Sequence, residues 1–321
     1  MKIAVMGSGG VGGYFGARLA AAGNDVTFIA RGAHLRAIKN QGLRVQSPFG
    51  DIHLQPSRAC DDPATIGPVD FVLFATKLYD TEIAGELCKP LIGADTAVIS
   101  FLNGVDSEEQ LSRILGREFV VGGVARISAE ITAPGVIQHY SNFAGIEFGE
   151  LDGSRSDRLQ NFLAAAQAAN IDAQLSSDIN ATIWQKFIML ASLSAITTLT
   201  RLPAGLIRNN PHSWKLMQEA VRETDAVARA RGVQLAENSV DEIVKILRGL
   251  PEAMKSSMLM GLERGSRLEL EWLSGAVCRL GDETGVETPV HCVVRAALAP
   301  FAEGQPESWV VDDPPQTAAG Q

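Results

Sequence analysis

Cysteine is scarce in this chain of 321 residues, with four in all, at Cys60, Cys88, Cys278 and Cys292. No pair has C-x-x-C spacing and no histidine cluster accompanies them, so neither structural zinc, nor any other metal site, nor a disulfide framework is expected. Reduced thiols in a cytoplasm fit best, and no cationic, apolar leader suggests secretion. Positive charge is also in deficit. Twenty-eight Lys and Arg face 37 Asp and Glu, and the net charge of −9 argues against non-specific nucleic-acid binding while leaving room for a local basic pocket. Long apolar runs are lacking too. The longest uncharged run in the second half, Phe187 to Thr200, is 14 residues and carries Ser and Thr. Crossing a bilayer takes ~20 residues, so a buried core helix is expected and no membrane role. No internal repeat is found. The remaining composition, 46% hydrophobic and 20% charged, is globular, and the length suggests two domains that each bury a core.

What is present begins at the N-terminus. Lys2-Ile3-Ala4-Val5-Met6 is a short apolar run, and Gly7-Ser8-Gly9-Gly10-Val11-Gly12 follows at once. Val11, Phe15, Leu19 and Ala22 then recur at helical spacing. This reads as strand, glycine turn and helix, the setting in which G-x-G-x-x-G binds a dinucleotide. Gly7 allows the sharp turn, Gly9 lets backbone N–H groups approach a pyrophosphate, and Gly12 lets the helix pack on the strand. The helix N-terminus offers free N–H groups to the anion. A second apolar run, Asp25 to Ile29, ends not in the acidic residue that an NAD ribose favours but in Ala30-Arg31-Gly32. Arg31, 24 positions after Gly7, can pair with a 2′-phosphate, and Arg36 and Lys39 add charge nearby. NADP(H) is therefore expected over NAD(H).

The first half alternates strands and helices. Ala33 to Asn40 reads as a helix, and Leu43 to Gln46 with Asp51 to Gln55 as a hairpin. Asp70 to Ala75 and Ala97 to Leu102 are apolar on both faces, as strands of a covered parallel sheet are. In such a doubly wound sheet, ligands sit beyond the carboxyl ends of the strands, where Arg31, Lys77 and Asn103 fall. Phe119 to Ala129, Gly135 to Tyr140 and Gly145 to Gly149 read as further, antiparallel strands. Arg155 to Asn170 reads as a helix and Ala173 to Ser176 as a short strand. The expected architecture is an α/β, Rossmann-type domain over residues 1–177, an all-α domain over 178–303 and a loose polar tail over 304–321. In the second domain, Asp178 caps a helix to about Leu199. Helices His212–Arg231, Ser239–Arg248, Pro251–Gly265, Leu268–Gly285 and Val290–Phe301 follow.

Lys186 stands at the mouth of the uncharged helical run, in Trp184-Gln185-Lys186-Phe187. A lysine buried there would neutralise, find a partner, or snorkel to solvent. A partner carboxylate is available in Leu268-Glu269-Leu270-Glu271-Trp272-Leu273. On a helix Glu269 shares the core face of Leu273, while Glu271 points about 160° away. A Lys186–Glu269 meeting is expected.

These motifs, with Thr76-Lys77, Asn103-Gly104, Ser256-Ser257-Met258, Gly275 and Gly285 through Pro289, make the chain resemble the ketopantoate reductases (2-dehydropantoate 2-reductases) from Lys2 to about Phe301. The resemblance implies NADPH-dependent reduction of 2-dehydropantoate to pantoate, in pantothenate biosynthesis. It implies Lys186 as general acid and Glu269 as the group orienting the lysine or binding a substrate hydroxyl. Asn103 would lie between nicotinamide and substrate, and Ser257 would bind the substrate carboxylate. The glycine loop (Gly7, Ser8, Gly9, Gly10, Val11, Gly12), Arg31 and Lys77 would serve the cofactor.

The chain departs from the family pattern where substrate-binding asparagines are usual, at Leu190, Ser194 and Ala204. Met260-Gly261 replaces Gln-Asp, and Asp106 ends Asn103-Gly104-Val105-Asp106 in place of glycine. Of the three asparagine positions only Ser194 keeps a polar group for substrate. A different, bulkier or more apolar 2-oxo acid is thus the alternative substrate, and a non-catalytic NADP(H) sensor a further one. The apolar helical half could pair with a second copy to form a homodimer.

Overall fold

The computed structural model describes residues 1–306. The N-terminal half is built on an eight-stranded sheet. Its strands are β1 (Lys2–Met6), β2 (Asp25–Ile29), β5 (Arg58–Cys60), β6 (Phe71–Phe74), β7 (Ala97–Ser100), β8 (Val120–Arg126), β11 (Gly145–Glu150) and β12 (Asp172–Leu175). They stand in the order β12-β11-β8-β7-β6-β1-β2-β5. All neighbours are parallel except β8 and β11. A second, four-stranded sheet, β4-β3-β10-β9, takes in β3 (Leu43–Gln46), β4 (Ile52–Leu54), β9 (Ala129–Ala133) and β10 (Val136–His139).

Period-two alternation sends successive strand residues to opposite layers. Ile3, Val5, Leu73 and Ile99 pack with Phe15 of α1 (Gly10–Ala21) and Phe162 of α5 (Asp157–Ala168). Ala4, Met6, Phe74 and Val98 pack instead with Cys88 of α3 (Thr81–Cys88) and Leu111 of α4 (Ser107–Leu115). That second layer runs on without a break into the C-terminal half, through Trp184, Phe187 and Ile196 of α6 (Ile179–Thr200). Between β2 and β3 lies α2 (Gly32–Gln41).

The C-terminal half is helical. Its spine is α6, capped by the Asp178 carboxylate, which accepts from Ala181 N at 3.0 Å. Around it stand α7 (Ala204–Arg208), α8 (Pro211–Ala230), α9 (Ser239–Arg248), α10 (Ser257–Glu263), α11 (Ser274–Thr284) and α12 (Pro289–Leu298). By length and composition α6 could span a bilayer, but 72% of its most apolar window is buried by the chain itself, as a core helix would be.

One expectation is met in part and two are corrected. The stretch expected as the antiparallel strand Phe119–Ala129 holds β8, which is antiparallel to β11 as expected but pairs in parallel with β7 on its other edge. The crossover through α4 returns the chain in the same direction, as parallel pairing requires. Only Ser257–Glu263 of the expected helix Pro251–Gly265 is α-helical. The Glu252 and Met254 carbonyls instead accept from Gly205 and Ala204 N, which ties this segment to α7. The expected helix Leu268–Gly285 is broken. Leu270–Trp272 is a single 3₁₀ turn, Leu273 (φ −106°, ψ −94°) leaves helical space, and α11 starts at Ser274. Gln305 N donates to Gly265 O at 3.3 Å, and residues 307–321, most of the expected tail, lie outside the described residues.

Candidate active site

The glycine loop has the shape its spacing predicts. Gly7 has φ +94°, and a Cβ on it would stand 2.6 Å from Ala75 O at the end of β6. A Cβ on Gly12 would meet Gly7 O at 2.3 Å and Val5 Cγ1 at 2.9 Å, so Gly12 lets α1 lie against β1. Gly9 differs, because a Cβ there would meet nothing within 4 Å. The space its missing side chain leaves is open, as a ligand approaching the backbone requires. Gly9 is also the N-cap of α1 and gives no side-chain cap, so the first amides of the helix face that space uncapped. The loop therefore fits a dinucleotide pyrophosphate. Ser8 is held to the end of β2 instead, since its backbone N–H and its hydroxyl both donate to Ile29 O, at 3.2 and 2.9 Å.

A cavity of about 1210 Å³ runs from this loop, past the strand ends, to the helical half. Arg31 lies on it as the N-cap residue of α2, exposed beyond the end of β2. Asp61, next after β5, lies on it too. So does His34, whose Nδ1 accepts from Gly135 N at 3.0 Å while Nε2 stands 2.9 Å from Ser8 O. With Nδ1 accepting, the proton sits on Nε2. The ring is neutral, and burial lowers its pKa.

At the other end, Lys186, Leu190 and Ser194 follow one another on the cavity face of α6 at helical spacing. Lys186 keeps some exposure to the cavity but sits deep among protein atoms. Desolvation lowers its pKa to about 7. Arg126, at the end of β8, pushes the same way, and Glu108 and Glu269 oppose. Glu269 is buried at the corner before the 3₁₀ turn. Its Oε1 accepts from Leu78 N at 3.0 Å, and its Oε2 faces Lys77 Nζ at 3.3 Å.

The expected direct Lys186–Glu269 pair is thus replaced. Glu269 binds Lys77 and the Leu78 amide, and acts on Lys186 through space. The physical reason is the broken helix, which turns Glu269 toward the end of β6 instead of toward α6. Glu271 forms a half-exposed pair with Arg295 at 2.8 Å. Lys77, expected on the cofactor side, bridges both halves.

Of the residues singled out in the sequence, Gly7, Ser8, Gly9, Gly10, Val11, Arg31, Lys77, Asn103, Lys186, Ser194, Ser257 and Glu269 all line this one cavity. Gly12 does not, and serves packing instead. Glu108 was missed. It lies buried at the start of α4, accepts from Ser107 Oγ at 3.0 Å, and through Ser107 meets Ser100 at 3.0 Å. Burial pushes its carboxyl up to about 7. Asp61 and His34 were missed as well. Only the strand ends before them, Ile29 and Cys60, could have signalled their position.

A dinucleotide-binding sheet whose cavity continues to a low-pKa lysine on a helical domain defines a two-domain oxidoreductase. The chain belongs to the ketopantoate reductase family, whose members are NAD(P)-dependent oxidoreductases acting on CH–OH groups. The family model "Ketopantoate reductase PanE/ApbA" matches residues 3–153, and its C-terminal counterpart matches 178–301. The chain is 31% identical to a 2-dehydropantoate 2-reductase of Archaeoglobus fulgidus, over 94% of this chain and 97% of the relative. It is 33% identical to an uncharacterized oxidoreductase, YkpB, of Bacillus subtilis, over 93% of this chain and 98% of that one. The crystal structure of a PanE/ApbA family ketopantoate reductase from Ralstonia eutropha JMP134 superposes with a TM-score of 0.86 at 31% identity, covering 94% of this chain and 98% of that chain.

Proposed function

We propose that this chain reduces the keto group of a 2-oxo acid with NADPH, 2-dehydropantoate being the first substrate to test. The observation that carries the reading is Lys186, an ammonium with a pKa near 7 on the same cavity as the open glycine loop. When bound, the nicotinamide supplies a hydride to C2 of the acid. Lys186 gives its proton to the keto oxygen as negative charge develops there, and solvent reprotonates the lysine. Glu269 holds Lys77 at the mouth of the site and keeps Lys186 more basic than burial alone would leave it. Ser257, exposed to the cavity at the start of α10, serves the substrate carboxylate, and Asn103, half-buried beyond β7, lies between the two reactants. Ser194 lines the far end of the substrate side.

Arg31 supports the 2′-phosphate and hence NADPH. Asp61 on the adjoining strand end favours a second reading, in which a carboxylate bonds the ribose of NADH. Steady-state rates with both cofactors decide. Under the first reading Arg31→Ala raises KM for NADPH by about 10- to 100-fold, the scale of a charge-assisted hydrogen bond, and leaves KM for NADH nearly unchanged. Equal cofactor preference in both forms would leave the NADPH reading without support. Failure to oxidise either cofactor with any of a panel of 2-oxo acids would point to the non-catalytic sensor.

A further inference from the structure

The substrate end of the cavity is walled by hydrocarbon. Met189 and Leu190 from α6 face Ile243 and Ile246 from α9, with Leu250 and Met254 from the segment that follows. Ile246 is 50% exposed, a large apolar side chain left open to the cavity rather than packed away. Of the polar groups nearby, Ser256 and Ser239 are already engaged, and Lys255 pairs with Glu263 and Glu242 with Lys245. Asn238 lies at the far N-terminal end of α9, about 7 Å along the axis from Ile243. Ser256 Oγ meets Thr197 Oγ1 at 2.7 Å and accepts from Leu259 N at 3.1 Å, while Ser239 Oγ bonds Arg229 and the Asp225 carboxylate.

Helix geometry sets what each turn of α6 can touch. Under the reading above, with the keto oxygen at Lys186 and the carboxylate at Ser257, the substituent on C3 is left to the hydrocarbon wall, which begins at the next turn of α6. Leu190 is that turn, about 6 Å along the axis, whereas Ser194 is about 12 Å along. Lysine and leucine side chains lean the same way on the helix, so the offset persists at their ends.

Resting on the 2-oxo acid reading above, we infer that the preferred substrate carries a branched hydrocarbon at C3 with no hydroxyl on that branch. A hydroxyl placed there gives up its water and gains no partner on Leu190, Met189 or Ile246, while a methyl gains contact with all three. An apolar pocket discriminates against an added hydroxyl by about 100-fold at most, so the effect is expected at about 10- to 100-fold.

One pair of compounds isolates the effect. 2-Dehydropantoate and 3,3-dimethyl-2-oxobutanoate differ only by that hydroxyl. The native chain should show kcat/KM with NADPH about 10- to 100-fold higher for the deoxy acid. Leu190→Asn should move the ratio by about tenfold or more toward the hydroxylated acid. A native ratio of about one, or in favour of 2-dehydropantoate, overturns the inference while leaving 2-oxo acid reduction standing. An unchanged ratio in a folded Leu190→Asn overturns the role of Leu190. No NADPH oxidation with either acid, or with a wider panel, overturns the parent reading itself. The native measurement alone decides the preference should the variant fail to fold.

Discussion

Lys186 concentrates the argument at the scale of single residues. Its pKa near 7 sets the direction of pH dependence. The proposed reduction needs the ammonium, so kcat/KM falls as pH rises through about 7, and the reverse oxidation rises over the same range. Lys186→Ala should cut turnover by about 10²–10⁴ with NADPH binding retained, read by steady-state rates and cofactor fluorescence. Near-normal turnover in that variant would remove the lysine from the mechanism. Glu108 acts on Lys186 without touching substrate. Where it is ionised, above its own pKa of about 7, its charge raises the lysine pKa, so Glu108→Gln should move the fall in kcat/KM to lower pH. A variant that lost activity with an unmoved midpoint would make Glu108 structural only. Lys186 could be singled out in the sequence because a charge at the mouth of a 14-residue uncharged run is conspicuous. Glu108 could not. In Ser107-Glu108-Glu109 it looks like the acidic first turn of any surface helix. Only tertiary packing against Ser100 and Ser107 reveals that it is buried.

The glycine loop carries the lesson at the scale of elements. Its shape is local, fixed by strand, turn and helix within sixteen residues, and so it was readable from spacing. The roles of its glycines separate experimentally. Gly9→Ala points a methyl into open space, so it should leave the melting temperature nearly unchanged and weaken NADPH binding about tenfold or more. Gly12→Ala drives a methyl into Gly7 O and Val5, so it should cost about 1–3 kcal/mol of stability. Thermal melts with and without NADPH check both, and equal behaviour of the two variants would contradict the assignment. The corner at Glu269 shows the opposite case. Leu268 to Gly285 has a helical pattern, and the break accompanies a contact nearly two hundred residues away, where Leu78 N meets the Glu269 carboxylate. No local pattern encodes it. The parallel pairing of β8 with β7 escaped in a related way, because α4 and its crossover were not recognised, while its antiparallel pairing with β11 was legible.

At the scale of the molecule, the two halves share one apolar layer, from Ala4 and Phe74 through Phe187 to Val221. Ile179 of α6 also fills the space over Gly122 of β8, where a Cβ would stand 2.8 Å away. Ion pairs Arg279–Asp106 at 2.6 Å, Arg264–Glu130 at 2.7 Å and Lys77–Glu269 at 3.3 Å cross between the halves. Such pairs add little stability where exposed, and the continuous layer dominates. Chains of this length often unfold domain by domain, but here a single cooperative transition is expected, with near- and far-ultraviolet circular dichroism coinciding. Two resolved calorimetric peaks would show that the halves melt apart. The doubly wound sheet was legible from its apolar runs. The joint between the halves was not, because its residues are ordinary core residues until the fold brings them together.

Lys186 and Leu190 occupy successive turns of α6. Under the proposed reading, the group that does the chemistry and the group that chooses the molecule are neighbours on one rigid rod, yet separable by mutation. A duplicated gene could then drift at the second position and acquire a new diet while its reducing power stayed whole. Relatives that share this scaffold would diverge first along that stripe of the helix.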